Sequence, residues 1–226
     1  MDTATPPTLD RRAWTVPLVA GLILVALAVG LGAWIFIRGN EPFDLDAEWN
    51  ILLASWSSPV ATAFSQFMNV VGAGWFSIAV VPLAGALLLI LLRRPWGALF
   101  LVVSLAASAA SVQVLKQTFG RARPEDIVVV SDYGSFPSGH AANAATVAAI
   151  ALVLFPRVWV GIVGAVWTLL MAFSRTYLHA HWLSDTLGGA LVGAGVTLLL
   201  AAAFAVPLAR ERRRRTDAAA EPVSLL

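Results

Sequence analysis

Ser174-Arg-Thr-Tyr-Leu-His-Ala-His-Trp-Leu-Ser-Asp185 is a short polar stretch between two long hydrophobic segments. Arg175 can hold an anion and His181 can attack it, while Asp185 follows one helical turn later on the same face. Ionisable groups at the edge of a membrane span are costly and usually functional. The stretch therefore predicts a connection between two helices and, at the same place, a functional site.

The composition is typical of a membrane protein. Hydrophobic residues make up 59% of the 226 residues and charged residues only 12%, whereas about a quarter of an ordinary soluble domain is charged. Since about twenty apolar residues cross a bilayer, we expect an all-α integral membrane protein with a bundle of about six transmembrane helices. The predicted spans are residues 14–37, 70–92, 96–115, 140–155, 158–173 and 183–206. The bundle forms one domain, residues 14–208, between an N-terminal tail, 1–13, and a basic C-terminal tail, 209–226.

The segment between the first two predicted spans has apolar residues at helical spacing. They form one set before Pro59 and one after it: Trp49, Leu52, Leu53 and Trp56, then Phe64, Phe67, Met68 and Val71. Both sets are typical of amphipathic helices that lie at the membrane surface. Such helices could cover the bundle or could form an entrance for a lipid.

The arginines predict the orientation of the chain, because cytoplasmic loops carry an excess of basic residues. One side of the predicted bundle carries Arg11, Arg12, Arg93, Arg94, Arg157 and the basic run 210–215. The other side carries the polar stretches and the acidic residues Glu41, Asp44, Asp46 and Glu48. We therefore expect a multi-pass protein of the plasma (inner) membrane, with both termini in the cytoplasm and the site on the extracytoplasmic side. The basic run fits a topology anchor better than a nucleic-acid site, so nucleic acid is not an expected partner.

Lys116 is the only lysine in a chain that otherwise uses arginine at its basic positions. A lysine at the end of a span can simply extend its ammonium to the interface. The predicted helix breaks after it, however, and brings Arg121 and Arg123 beside the ammonium. Three grouped cations favour a bound anion, although Glu125 and Asp126 could neutralise them.

Phe136-Pro-Ser-Gly-His140 opens the fourth predicted span. Ser138 is suited to cap this helix, whose first N–H groups and positive dipole end form a potential anion site. Gly139 lets the backbone approach a ligand closely. An ordinary capped helix would explain the motif without any ligand. His140 favours a functional site, because an imidazole there can donate a proton at neutral pH.

The last polar stretch pairs an imidazole with a carboxylate. A carboxylate bonded to one nitrogen of His181 would fix the tautomer and leave the other nitrogen as a nucleophile or base. His179 lies in the connecting turn, as a surface residue or as a substrate contact. Zinc needs three or four close ligands, magnesium prefers carboxylates, and only Asp185 is placed for it. We therefore expect no metal ion and no other cofactor, with the grouped cations supplying the charge compensation.

Taken together, the three stretches resemble the tripartite signature of the type 2 phosphatidic acid phosphatase superfamily, which includes membrane lipid phosphatases and soluble vanadium haloperoxidases. The matching patterns are Lys116-x6-Arg123-Pro124, Pro137-Ser138-Gly139-His140 and Ser174-Arg175-x5-His181-x3-Asp185. Every signature position is filled in the expected order and spacing, over roughly 70 residues.

The resemblance implies a role for each of these residues. His181 would attack phosphorus and form a phosphohistidine, while Asp185 would orient His181 and stabilise its charge. His140 would protonate the leaving group and then activate the water that hydrolyses the intermediate. The residues implied to bind phosphate oxygens are Lys116, Arg123, Ser138, Gly139 and Arg175. The family needs no metal ion.

We therefore expect an integral-membrane phosphatase whose partners are the bilayer and a lipid phosphomonoester or diphosphate. Undecaprenyl diphosphate is favoured, because the Ala-, Val- and Arg-rich composition is typical of a GC-rich bacterial genome. Phosphatidylglycerophosphate and phosphatidate are the alternatives. The membrane spans disfavour a vanadate-dependent oxidase, and polar stretches at span ends disfavour a transporter, whose site lies near the bilayer midplane. Neither the lipid tail, the oligomeric state nor the role of the arginine tail is predicted by the sequence.

Overall fold

The helices of the bundle account for most of the chain. The computed structural model describes residues 11–56, 58–72 and 74–220, with no β-strand within those ranges. The helices are α1 Arg12–Ile37, α2 Asp44–Ser55, α3 Pro59–Gly72, α4 Val81–Leu91, α5 Pro95–Phe119, α6 Gly139–Leu154, α7 Val158–Tyr177, α8 Leu183–Ala203 and α9 Ala205–Ala220. A π-helical segment, Phe76–Val80, precedes α4. The first ten residues of the predicted N-terminal tail lie outside the described residues.

Four of these helices, α1, α5, α7 and α8, are long and apolar enough to cross a membrane. The pair Pro59–Gly72 and Phe76–Leu91 would make a fifth span, bent by 46°. Helix α6 is apolar but has only 16 residues. The described residues thus form a membrane-embedded helical bundle with four or five candidate spans, and the predicted count of six would require α6 as well.

Glycines set the distance between α8 and its neighbours. A Cβ atom at Gly193 would run into the carbonyl oxygen of Ala142 in α6, and one at Gly189 would run into the carbonyl oxygen of Ser138. Only residues without a side chain permit such close contact of two backbones. The close packing brings the start of α6 beside the start of α8, where the Ser138 N–H donates to the Asp185 carbonyl oxygen at 2.9 Å.

Helices α2 and α3 pack on the end of the bundle where these two helices begin. Leu53 of α2 and Met68 of α3 are buried, whereas Trp56 and Phe67 are exposed. Both apolar sets of the sequence therefore fall in or beside a helix with one buried side. The position of these helices at a membrane surface stays a prediction.

The opposite end of the bundle is held by a buried ion pair. The Arg94 guanidinium lies 3.4 Å from the Glu211 carboxylate, which also accepts the Trp96 N–H at 2.7 Å. Glu211 belongs to α9, so part of the basic run expected as a tail is helical and docks on the start of α5.

Candidate active site

A cavity of about 550 Å³ lies where α5 ends and α6 begins. Six of the eight predicted site residues line it: Lys116, Arg123, Gly139, His140, Arg175 and His181. The other two, Ser138 and Asp185, are completely buried and adjoin it. The fold thus brings the three polar stretches together at one end of the bundle.

The connection between α7 and α8 places His181 in this cavity. Arg175 stands in the last turn of α7, and the Ala180 N–H donates back to its carbonyl oxygen at 3.0 Å. His179 turns the chain with a φ of 51°. Helix α8 then starts with a reciprocal cap, in which the Asp185 carboxylate accepts the Trp182 N–H at 2.9 Å. The tight turn leaves the His181 side chain almost fully buried against the cavity.

The surroundings of His181 define its protonation. Its Nε2 lies 3.2 Å from Nη1 of Arg123, and because a guanidinium can only donate, Nε2 accepts and the ring proton lies on Nδ1. Nδ1 faces Asp185 Oδ2 at 3.7 Å, an electrostatic contact longer than a hydrogen bond. Burial, and then the neighbouring cations led by Arg123, lower the pKa of His181 well below its ordinary value. The imidazole is therefore neutral and has its lone pair on the nitrogen expected to act as nucleophile.

Asp132 is a site residue that sequence reasoning missed. Its carboxylate lies 3.1 Å from Lys116 Nζ and 2.7 Å from Nη2 of Arg123, so it joins two of the predicted phosphate ligands. Burial raises the pKa of Asp132, but the charges of Lys116 and Arg123 outweigh it and lower the pKa overall. The Asp132 carboxylate therefore already bridges two cations of the cavity, at the place where a bound anion was expected.

The acids weighed as counter-charges in the sequence do not serve this cluster. Asp126 instead lies 3.0 Å from Nδ1 of His179, which also contacts the Asn50 amide oxygen at 2.7 Å. The expectation that His179 is a surface residue was wrong, since it is buried. It is also not among the residues that line the cavity. Its contacts join α2 to the loop before α6.

Arg121 does not join the grouped cations as the sequence suggested. Its Nη1 donates to Asp185 Oδ1 at 2.6 Å and its Nη2 to Asp46 Oδ2 at 2.9 Å. The side chain turns away from the cavity because two buried carboxylates compensate its charge there. Three cations, Lys116, Arg123 and Arg175, remain around the cavity.

Helix α3 supplies a second residue that the motifs do not contain. The Asn69 amide oxygen accepts a hydrogen bond from Nη1 of Arg175 at 2.6 Å, and its backbone carbonyl lies 3.2 Å from Nε2 of His140. Asn69 thereby holds two predicted site residues in place. Neither Asn69 nor Asp132 belongs to one of the three motifs, so the motif pattern did not point to them.

Two buried polar groups beside the cavity are left free for a ligand. Ser138 precedes α6 as expected, but its hydroxyl makes no capping hydrogen bond, contrary to the prediction. Among the described residues, neither Ser138 Oγ nor Nε of Arg175 has a hydrogen-bond partner. Buried donors without partners are costly, and a ligand with several acceptor oxygens fits them. Within the described part of the chain, no three His, Cys, Asp or Glu side chains are grouped to hold a metal ion.

Comparisons with known proteins extend these observations. A sequence model of the PAP2 superfamily matches residues 97–207. The undecaprenyl-diphosphatase of Sulfolobus acidocaldarius is 33% identical over 50% of this chain and 58% of its own length. The lipid A 1-phosphatase of Rhizobium johnstonii is 32% identical over 49% of each chain. The chain therefore spans only about half the length of these two relatives.

Phosphatidylglycerophosphatase B of Bacillus subtilis is 30% identical over 61% of this chain and 70% of its own length. The crystal structure of a transmembrane PAP2 type phosphatidylglycerolphosphate phosphatase from Bacillus subtilis has the same fold. It matches with a TM-score of 0.69 and 23% identity, over 90% of this chain and 98% of the other. The chain therefore belongs to the PAP2 superfamily.

Proposed function

We propose that the protein is an integral-membrane lipid phosphatase that hydrolyses a phosphomonoester or diphosphate through a phosphohistidine. The observation that carries the proposal is the two-sided character of the cavity. Cations and imidazoles line one part, whereas the other part is apolar and includes Ile78, Pro82, Val102, Leu105 and Ala109. From Val102 to Lys116, α5 rises about 21 Å at about 1.5 Å per residue. A molecule with a phosphate at one end and a hydrocarbon chain at the other fits such a cavity.

In the first step, the Nε2 lone pair of His181 forms a bond to phosphorus while the bond from phosphorus to the leaving oxygen breaks. The leaving oxygen keeps the electron pair and takes a proton from His140. Arg123 moves its contact from Nε2 to a phosphate oxygen, and Lys116 and Arg175 bind the others. Most of the catalysis of phosphoryl transfer comes from this positioning and charge stabilisation.

In the second step, a water oxygen attacks the phosphohistidine and His140 accepts the water proton. The nitrogen–phosphorus bond breaks and its electron pair returns to Nε2 of His181. The products are inorganic phosphate and either a lipid alcohol or, from a diphosphate, a lipid monophosphate. The cations of the cavity compensate the charge throughout, and we propose that the reaction needs no metal ion.

For the substrate, we favour undecaprenyl diphosphate. The relatives include the undecaprenyl-diphosphatase of Sulfolobus acidocaldarius and a putative undecaprenyl-diphosphatase of Escherichia coli, 33% identical over 129 residues. Phosphatidylglycerophosphate is the first alternative, because Phosphatidylglycerophosphatase B is also among the relatives. Phosphatidate is the second. We propose that residues 14–208 carry the activity in the inner membrane, between cytoplasmic tails, with the cavity on the extracytoplasmic side.

The test is phosphate release by the protein purified in detergent with a chelator, measured on a panel of polyprenyl diphosphates and phospholipid phosphates. The wild type should release phosphate at a rate that the chelator leaves unchanged. His181→Ala and His140→Ala should abolish release, whereas the control His179→Gln should retain the rate per folded molecule. Full activity of His181→Ala would contradict the assigned nucleophile. A rate that is lost with chelator and restored by a divalent ion would contradict the metal-free mechanism.

A further inference from the structure

Asp46 lies in α2, outside the residues 97–207 that the family shares, yet its carboxylate is buried at the active-site end of the bundle. Its Oδ1 accepts the Ser184 N–H at 2.8 Å, and its Oδ2 accepts the Ser184 hydroxyl at 2.6 Å. The same Oδ2 accepts Nη2 of Arg121 at 2.9 Å. A single carboxylate thus ties α2 both to the start of α8 and to the loop after α5.

Arg121 connects Asp46 with the residue behind the proposed nucleophile. The guanidinium is buried and binds Asp185 Oδ1 at 2.6 Å. Asp185 Oδ2 then faces Nδ1 of His181 at 3.7 Å. Four buried side chains therefore run in order from the cavity to α2, with alternating charge behind the imidazole.

The charges of this series explain what Asp46 contributes. Arg121 and Asp185 alone would form a neutral pair, so the group behind Nδ1 of His181 would carry no net charge to offset the cations on its Nε2 side. Asp46 adds a second carboxylate, so the buried group has a formal charge of about −1. Asp185 therefore keeps a negative potential toward Nδ1–H while Nε2 forms its bond to phosphorus and the ring becomes positive.

We propose that Asp46 is a positioning residue of the active site: it neutralises Arg121, so that Asp185 supports, together with the Arg123 contact to Nε2, the Nδ1–H tautomer of His181 and stabilises the charge of the attacking ring. The proposal rests on the proposed phosphatase function. It makes α2 a part of the catalytic apparatus, although no sequence motif includes it.

Asp46→Asn removes the charge and nearly keeps the shape. Because Asp46 does not line the cavity, KM should stay unchanged. By analogy with the outer-shell partners of metal-binding histidines, kcat should fall by roughly 10- to 100-fold. The matched control is Glu211→Gln, which removes the buried carboxylate of the Arg94 ion pair at the other end of the bundle. Both variants should lower thermal stability, but only Asp46→Asn should lower kcat per folded molecule. Equal kcat values for both would show a merely structural role and overturn the proposal.

A double-mutant cycle tests whether Asp46 acts through Asp185. In an Asp185→Asn background, Asp46→Asn should change the residual kcat by less than about twofold, since the partner it serves is gone. The same fold-loss in both backgrounds would overturn the proposal.

A measurement without turnover separates this inference from the proposed function. The chain has three histidines, so ¹⁵N NMR of histidine-labelled protein, with His181→Asn for assignment, reports the tautomer. Because the Arg123 guanidinium by itself holds Nε2 as an acceptor, the tautomer is compared in an Arg123→Gln background. There we expect Nδ1–H with Asp46 present and with Glu211→Gln added, and a mixture of tautomers with Asp46→Asn added. An unchanged tautomer on adding Asp46→Asn overturns the inference, whether or not any lipid is hydrolysed. If the wild type hydrolyses no lipid phosphate, that result contradicts the proposed function and not the tautomer inference.

Discussion

Asp132 holds a carboxylate between Lys116 and Arg123, where a substrate phosphate would bind. A phosphate must displace this carboxylate or share its cations. The Asp132 side chain is 56% exposed. Its ion pairs with Lys116 and Arg123 therefore stabilise the ligand-free arrangement of the cavity by at most about 1 kcal/mol. For Asp132→Asn we therefore expect a KM up to about fivefold lower with little change in kcat. The inhibition constant of inorganic phosphate should fall in parallel.

Asp126→Asn is the control for this prediction, because Asp126 belongs to the same loop but pairs with His179. It should leave KM unchanged. An Asp132→Asn variant with an equal or higher KM would show that the carboxylate supports substrate binding and does not compete with it.

His181 should stay uncharged at mildly acidic pH. A free histidine with a pKa near 6.5 is mostly protonated at pH 6, but burial and the adjacent cations lower the pKa of His181 well below that value. The neutral form of the proposed nucleophile should thus persist down to pH values at which an ordinary histidine has lost its lone pair. An NMR titration of histidine-labelled protein should show His181 neutral at pH 6, and Arg123→Gln should raise its pKa. A midpoint at or above pH 6.5 in the wild type would contradict the expected environment.

The motif residues could be selected from the sequence because their spacing is fixed by local structure. Gly120, with a φ of 57°, ends α5 just after Lys116, and Asp185 follows His181 by one turn. Partners from other segments could not be found in this way. Asp46 and Asn69 reach the site only because α2 and α3 fold back onto it, and Arg121 was misassigned since its carboxylate partners come from distant helices.

At the scale of helices, the contact of α6 with α8 leaves no room for a side chain at Gly193. A Cβ atom there would collide with the Ala142 carbonyl oxygen. Gly193→Ala should lower the free energy of unfolding by about 1–3 kcal/mol, the usual cost of overpacking. The shift of α6 should also reduce activity, because Ser138 at its start is bonded to Asp185.

Gly30→Ala in α1 is the matched control, since a Cβ there meets nothing within 4 Å. Alanine has the higher helix propensity, so this variant should be as stable as the wild type or slightly more stable. Thermal unfolding in detergent measures both variants. Equal stability of the two would mean that the helices can separate without cost.

The sequence predicted the ends of a helix correctly where proline, serine or glycine marks the boundary. Helix α6 begins at Gly139, after Pro137 and Ser138, and ends before Pro156, close to the predicted span 140–155. The predicted span 70–92 instead begins inside α3 and crosses the break between Gly72 and Phe76, where Gly74 has a φ of 62°. Hydrophobicity alone does not reveal such a break, because apolar residues continue on both sides of it.

For the molecule as a whole, the orientation in the membrane is open to a direct test. The chain has no cysteine, so single cysteines give unambiguous labelling. Val130 lies exposed in the loop before α6, at the cavity end, and Arg213 lies exposed in α9 at the other end. In intact cells an impermeant maleimide should label Val130→Cys, and should label Arg213→Cys only after lysis. The reverse pattern would place the cavity in the cytoplasm.

Helix α5 is fixed at both of its ends. Glu211 binds the N–H of Trp96 at its start, and Lys116 near its end contacts Asp132 and Gly134. From Pro95 to Lys116 the helix rises about 32 Å, close to the roughly 30 Å of a hydrocarbon core. The buried polar contacts at its two ends are therefore separated by about the thickness of a hydrocarbon core. If the proposed site lies at the lipid head groups, a membrane of unmatched thickness would shift the Lys116 ammonium above or below their plane, and we expect the proposed phosphatase activity to depend on the acyl-chain length of the surrounding bilayer.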